Sequence, residues 1–191
     1  MAFLNLAAVR VCTEAEGPGK RFAIWCQGCE NRCEGCCNKH MQVIEVRHII
    51  AVEDLMNMIV KAKFEHEIEG ISIIGGEPLL QAGGVAALAV SCQDKGLSVL
   101  VFTGFLYGSL ENKILTGDSA IKALLDNTDI LVDGSFRIDE YDEQRDWVGS
   151  KNQRVWFLSN RYKNGIEFHA GQRTMEIRIS ADDIGINGWP F

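Results

Sequence analysis

Short runs of β-branched and apolar residues alternate along this 191-residue chain with segments whose apolar positions recur at helical spacing. That alternation restricts the chain to an α/β fold with a mostly parallel sheet. Strands are expected at Phe3 to Val11, Arg21 to Trp25, Gly70 to Ile74, Ser98 to Phe102, Asp129 to Val132, Arg154 to Leu158 and Thr174 to Ile179. Between them, Val52, Leu55, Met56, Ile59 and Val60 share one helical face, and Leu79 to Lys95 and Ile121 to Leu125 read as helices. The length suits one domain over residues 1–191. Two stretches depart from the pattern. Residues 133–151, dense in Asp, Glu and Arg, form a long excursion, either a functional segment or a solvated loop. Residues 181–191, with Gly185, Gly188 and Pro190, read as an irregular tail.

The chemically distinctive residues fall in a regular place on this map. A cysteine-rich loop follows the strand ending at Trp25, Gly75-Gly76-Glu77-Pro78 follows Ile74, Thr103-Gly104 follows Phe102, and Asp133-Gly134 follows Val132. Each lies just past the carboxyl end of an expected strand, the edge at which βα folds assemble their active sites.

A formal charge of −7 and a pI near 5.1 disfavour broad binding to nucleic acid or anionic lipid. A small molecule or a protein is the expected partner. The first residues lack a signal-peptide pattern, and no apolar run is long enough to span a membrane. The expected location is therefore cytoplasmic, where seven cysteines point to metal binding or catalysis rather than disulfides. Five of them lie between Cys26 and Cys37, whereas Cys12 and Cys92 stand alone in apolar surroundings as small buried hydrophobes.

Cys29, Cys33 and Cys36 sit at spacings of four and three, close enough to grip a single cluster. Thiolates suit zinc as well as iron–sulfur clusters. A structural zinc site uses four ligands, commonly as two separated pairs. Here Cys26 and Cys37 are the extra thiols, and His40 and His169 the remaining candidates. Three thiolates on a four-iron cluster leave one iron open to an amino and carboxylate chelate.

This CX3CX2C spacing resembles the radical S-adenosylmethionine (SAM) superfamily, and Gly75-Gly76-Glu77-Pro78 resembles its GGEP motif. The resemblance implies a [4Fe-4S] cluster on Cys29, Cys33 and Cys36. It also implies SAM approached by Gly75 and Gly76, with its amino group received by Glu77. The implied fold is a single-domain incomplete (β/α) barrel with an open side. Within the superfamily the chain is most similar to the activating enzymes of glycyl radical proteins, above all the activase of anaerobic ribonucleotide reductase. Glu16 to Arg21, Gly35-Cys36-Cys37-Asn38, Val101 to Phe105 and Gly149 to Arg154 carry that similarity. It departs at Cys37, where the family has an aromatic residue near the adenine.

The activity so implied is reductive cleavage of SAM to a 5′-deoxyadenosyl radical that installs a glycyl radical on a partner protein. An external reductant such as flavodoxin or ferredoxin would supply the electron. Thr103 and Asn152 suit the ribose or methionine of SAM, and Arg154 either clamps a carboxylate or pairs with Asp133 or Asp146. Two other readings stand beside this one: a radical SAM enzyme acting on a small molecule or nucleotide, and a ferredoxin-like carrier or zinc-binding module.

Overall fold

The computed structural model describes residues 1–168, 174–179 and 184–188. Strands β1 (Phe3–Thr13) and β2 (Arg21–Cys26) are followed by β3 (His48–Ala51), α1 (Val52–His66) and β4 (Gly70–Gly75). Then come α2 (Ala82–Asp94), β5 (Ser98–Thr103), α3 (Tyr107–Leu115), α4 (Ser119–Asp126), β6 (Ile130–Asp133) and β7 (Arg154–Phe157). A hairpin of β8 (Met175–Ile179) and β9 (Ile184–Gly188) stands apart as a two-stranded sheet.

The main sheet has the order β3-β1-β2-β4-β5-β6-β7. Its centre, β2-β4-β5-β6, is parallel, and the flanking β1, β3 and β7 are antiparallel to their neighbours. The end strands β3 and β7 do not pair with each other, so the sheet does not close. Among the described residues no helix is long and apolar enough to cross a membrane.

Successive strand side chains point to opposite faces. Phe22, Ile24 and Cys26 of β2, Ile71 and Ile73 of β4, and Val99 and Val101 of β5 join one core with Leu55 and Ile59 of α1 and Leu88 and Cys92 of α2. Each fully buried Leu or Ile there stabilises the fold by roughly 1.5–3 kcal/mol. Ala23, Trp25 and Ile74, and Leu100, Phe102, Ile130 and Val132, turn to the other, inner face. At the amino ends of the strands that inner face is filled by Arg21, which is fully buried. Its guanidinium donates to Ser72 Oγ (2.7 Å), Ser98 Oγ (3.1 Å), Tyr162 OH (3.3 Å) and the Ile71 carbonyl. At the carboxyl ends the same face is hollow.

The expected strands all form, with shifts of one or two residues at their ends. Three elements were not legible. β3 is an edge strand with exposed His48 and Ile49, so it lacks an alternating pattern. α3 buries only Leu110. β9 lies in the stretch read as an irregular tail, whose residues 181–183 and 189–191 fall outside the described residues. A 3₁₀ turn at Pro78–Gln81 precedes α2, and Val60 is 41% exposed rather than on the buried face of α1, which Ala62 completes.

Candidate functional site

The cysteine loop leaves β2 and is pinned at its base. Gly28 N–H donates to the Met41 carbonyl (2.8 Å) and Cys29 N–H to the Gln42 carbonyl (3.1 Å), so residues 28–42 form a closed loop over the sheet edge. Cys29 is buried, Cys33 and Cys36 are half-buried, and none of the seven cysteines is in a disulfide. Burial raises the Cys29 thiol above its ordinary 9.0, partly offset by the N–H groups of Asn31 and Arg32 directed at its sulfur. Cys26 projects into the helix-side core, where burial pushes its thiol up to about 12.

The loop after β4 is laced to this one. Gly76 N–H donates to the Cys26 carbonyl and Glu77 N–H to the Gly28 carbonyl, both at 2.8 Å. Only glycine fits at either position. Gly75 sits at φ +103°, and a Cβ on Gly76 would lie 2.2 Å from the Gly28 carbonyl oxygen. The tight lacing delivers Glu77 to the hollow, 1% exposed. Its Oε1 accepts from Leu79 N–H (3.0 Å) and Thr103 Oγ1 (2.8 Å), and its Oε2 from Gly104 N–H (2.8 Å) and Asn31 Nδ2 (3.3 Å). Burial raises the Glu77 pKa and these four donors oppose it.

A cavity of about 760 Å³ is lined by Cys29, Cys33, Cys36, Gly75, Gly76, Glu77 and Thr103, so seven of the nine residues singled out from the sequence meet in one place. That volume lies in the usual range for cofactor and ligand sites. Cys37 and His40 line it too. Among the described residues no three Cys, His, Asp or Glu side chains are gathered as a single metal ion would require. His169 lies outside the described residues.

Asn152 and Arg154 do not line the cavity. Arg154 forks onto the fully buried Asp133 carboxylate (Nε 3.2 Å, Nη2 2.9 Å) and lies over the Trp156 ring, the ion pair that was one of its two readings. Asn152 Nδ2 donates to the Ser135 carbonyl (2.8 Å). Gln153 lies between them and does line the cavity. Its Oε1 accepts from Gly149 and Ser150 N–H while Nε2 donates to the Gly134 carbonyl, which ties the two ends of the 133–151 excursion together.

That excursion is ordered. Arg145 pairs with Asp142 (2.6 Å) and donates to the Gln153 and Ser150 carbonyls. Ile138 packs over Gly35 in the cysteine loop, and Phe136 and Trp147 reach the cavity wall. Trp147 has φ 60°, a left-handed backbone unusual for a bulky residue. At another wall stand Arg10, Glu16 and Asn187. Burial, reinforced by the Glu176 carboxylate, lifts the Glu16 pKa from 4.5 to about 7 against bonds from Gly188 N–H and Asn187. Asn31 and Asn187 carried no sequence signal, and Glu16 and Gln153 lay in segments that carried the family resemblance without a role of their own, because these roles depend on pairings between distant segments.

Residues 15–156 match the family described as a 4Fe-4S single cluster domain. The anaerobic ribonucleoside-triphosphate reductase-activating protein of Vibrio cholerae is 31% identical over 146 residues, covering 73% of this chain and 88% of that protein. Its Escherichia coli K12 counterpart is 30% identical over 149 residues, covering 74% and 91%. The pyruvate formate-lyase 1-activating enzyme of Escherichia coli K12 is 31% identical over 126 residues, covering 63% of this chain and 47% of that enzyme.

Proposed function

The chain belongs to the 4Fe-4S single cluster domain family, and on that premise we propose that it activates an anaerobic ribonucleoside-triphosphate reductase by installing a glycyl radical. It is a radical SAM enzyme of the glycyl-radical activase type, with a [4Fe-4S] cluster and SAM as cofactors. The observation that carries the reading is the meeting of three unpaired thiols with the Gly75-Gly76-Glu77 turn in one cavity.

Cys29, Cys33 and Cys36 would hold three irons of the cluster, leaving the fourth without a protein ligand; Cys26 takes no part, because it faces the other side of the sheet. When bound there, the cluster and SAM would supply the one-electron chemistry needed to remove a hydrogen from a glycine Cα of the partner. Gly75 and Gly76 allow close backbone approach. Glu77 receives the SAM amino group by exchanging its longest bond, the 3.3 Å contact from Asn31, for a charged donor. Thr103, Gly104 N–H and Leu79 N–H hold that carboxylate in place, so Thr103 acts through Glu77. Arg154 and Asn152 serve the site indirectly, by fixing the ends of β6 and of the excursion. Trp25, Phe102 and Trp147 wall the cavity with apolar surface that keeps water out.

In this reading residues 1–191 form one domain, an incomplete barrel whose open side admits the reductase. The electron comes from a flavodoxin- or ferredoxin-type donor in the cytoplasm. The test is anaerobic: load the protein with iron and sulfide, reduce it, add SAM, and assay 5′-deoxyadenosine with and without the reductase. One 5′-deoxyadenosine per glycyl radical formed supports the reading. Repeated turnover on a nucleotide alone would replace it with the small-molecule reading, and no product at all would remove both.

A further inference from the structure

The β8–β9 hairpin is built inside out. Its polar side chains face the body of the protein: Glu176 accepts from Glu14 N–H (2.8 Å), Arg178 donates to the Cys12 carbonyl, and Asn187 Nδ2 donates to Thr13 Oγ1 (2.7 Å). Its apolar side chains face away. Met175, Ile177, Ile179, Ile184 and Ile186 share one face through the pairs Ile177–Ile186 and Ile179–Ile184, and they are 46–78% exposed. An exposed apolar surface of this kind marks a place where another molecule sits. The hairpin also lies outside residues 15–156, the part of the chain that matches the family.

The edge of β9 opens on the cavity, which Ile186, Asn187 and Gly188 line. Gly188 N–H donates to Glu16 Oε1 (2.7 Å) and therefore points away from β8. Residues two apart on a strand share that direction, so the Ile186 N–H and carbonyl also turn outward. Beside them Asn187 is 6% exposed, and its Oδ1 has no hydrogen-bond partner. Arg10 lies against Gly185, where a Cβ would fall 2.8 Å from its Nη2, and its buried Nε is likewise without a partner. A buried acceptor and a buried donor left unmade are each expensive, by about 1–3 kcal/mol. The complement to a strand edge with one spare acceptor and one spare donor is a peptide main chain, which offers an N–H and a carbonyl at each residue.

We propose that β9, with Asn187 and Arg10, is the seat on which an extended segment of the protein substrate is laid to bring its glycine into the cavity. The segment adds to β9 as a further strand, gives an N–H to Asn187 Oδ1 and takes one from Arg10 Nε, while the substrate's body covers the isoleucine face. This rests on the glycyl-radical reading and adds a recognition surface to it.

The test uses the full-length, cluster-loaded protein with purified anaerobic ribonucleoside-triphosphate reductase and, separately, S-adenosylhomocysteine. Two variants are compared with the parent: Asn187→Leu, and the surface double variant Ile177→Asp with Ile184→Asp, which leaves the hairpin's anchoring bonds in place. Each is expected to raise the KM for the reductase at least tenfold, with the calorimetric Kd for S-adenosylhomocysteine within twofold of the parent. An unchanged KM in the double variant overturns the proposal, and a parallel loss of S-adenosylhomocysteine affinity in Asn187→Leu assigns the corner to the nucleoside instead. A parent protein that forms no 5′-deoxyadenosine signals failure of the radical SAM reading, a separate result.

Discussion

The two ends of the sheet's inner face are made by the same strands and treat buried polarity in opposite ways. At the amino ends, Arg21 is enclosed and matched by Ser72, Ser98, Tyr162 and the Ile71 carbonyl, leaving no room for a ligand. At the carboxyl ends, glycines replace side chains, three thiols stand unpaired, and Glu77 is surrounded by donors yet lines an open cavity. Both ends contain fully buried charged groups, so burial does not separate a structural plug from a functional site. What separates them is whether the protein's own groups fill the space. The contrast extends to two arginines: Arg154, which one of its two readings placed at the site and the other paired with Asp133, is matched by Asp133 and does not line the cavity, whereas Arg10, which drew no notice in the sequence, keeps an unmatched Nε on the cavity wall.

Four substitutions probe this contrast, in falling order of effect. Cys33→Ala at the open end should abolish the cluster and with it all SAM cleavage, read by iron content and by 5′-deoxyadenosine, with little change in far-ultraviolet circular dichroism. Arg21→Met at the closed end should do the reverse. Ser98 Oγ and Tyr162 OH still bond each other at 2.7 Å, so the acceptors it strands are chiefly the Ile71 and Pro18 carbonyls, at about 1–3 kcal/mol each and roughly 3 kcal/mol together. Calorimetry should then show Tm lower by roughly 6–12 °C, while the folded fraction cleaves SAM at the parent rate. If Arg21→Met instead lost SAM binding at unchanged Tm, the division between plug and site would be wrong.

Glu77→Gln removes a charged acceptor worth about 1.5–3 kcal/mol, so kcat/KM for SAM should fall roughly tenfold to a hundredfold. The smallest effect on activity comes from Glu16, whose influence is on stability and depends on pH. Glu16 has its folded pKa raised from 4.5 to about 7, so the fold favours its neutral form. Its contribution is fully present below pH 4.5, declines as pH rises, and is gone above about pH 7, a span of roughly 3 kcal/mol in stability with no direct effect on SAM cleavage. Glu16→Gln should flatten that part of the stability profile in denaturant titrations at pH 5 and pH 8. An unaltered profile would mean that Glu16 is better solvated than its place beside Gly188 and Asn187 implies.

The parallel centre of the sheet was legible because β2, β4, β5 and β6 are buried on both faces and read as continuous apolar runs. The thiols and the Gly-Gly-Glu turn were legible because local spacing and backbone geometry dictate them. Edge strand β3 and helix α3 were not, since each buries too little to leave a periodic signal. The inverted hairpin hid for a related reason: its apolar residues alternate as in any strand, and sequence does not reveal that Glu176, Arg178 and Asn187 are the ones facing inward. Glu77's donors come from three loops, so only the register of β4 against β5 brings Thr103 and Gly104 to it.

Three thiolates holding a four-iron cluster, with one iron left for SAM, underlie every role assigned to the cavity. Electron paramagnetic resonance of the dithionite-reduced, reconstituted protein, recorded before and after SAM is added, tests this arrangement most directly. About four irons and four sulfides per chain are expected, with a cluster signal whose g-values shift when SAM binds. A signal indifferent to SAM, or a protein that retains one zinc and no sulfide, would contradict it.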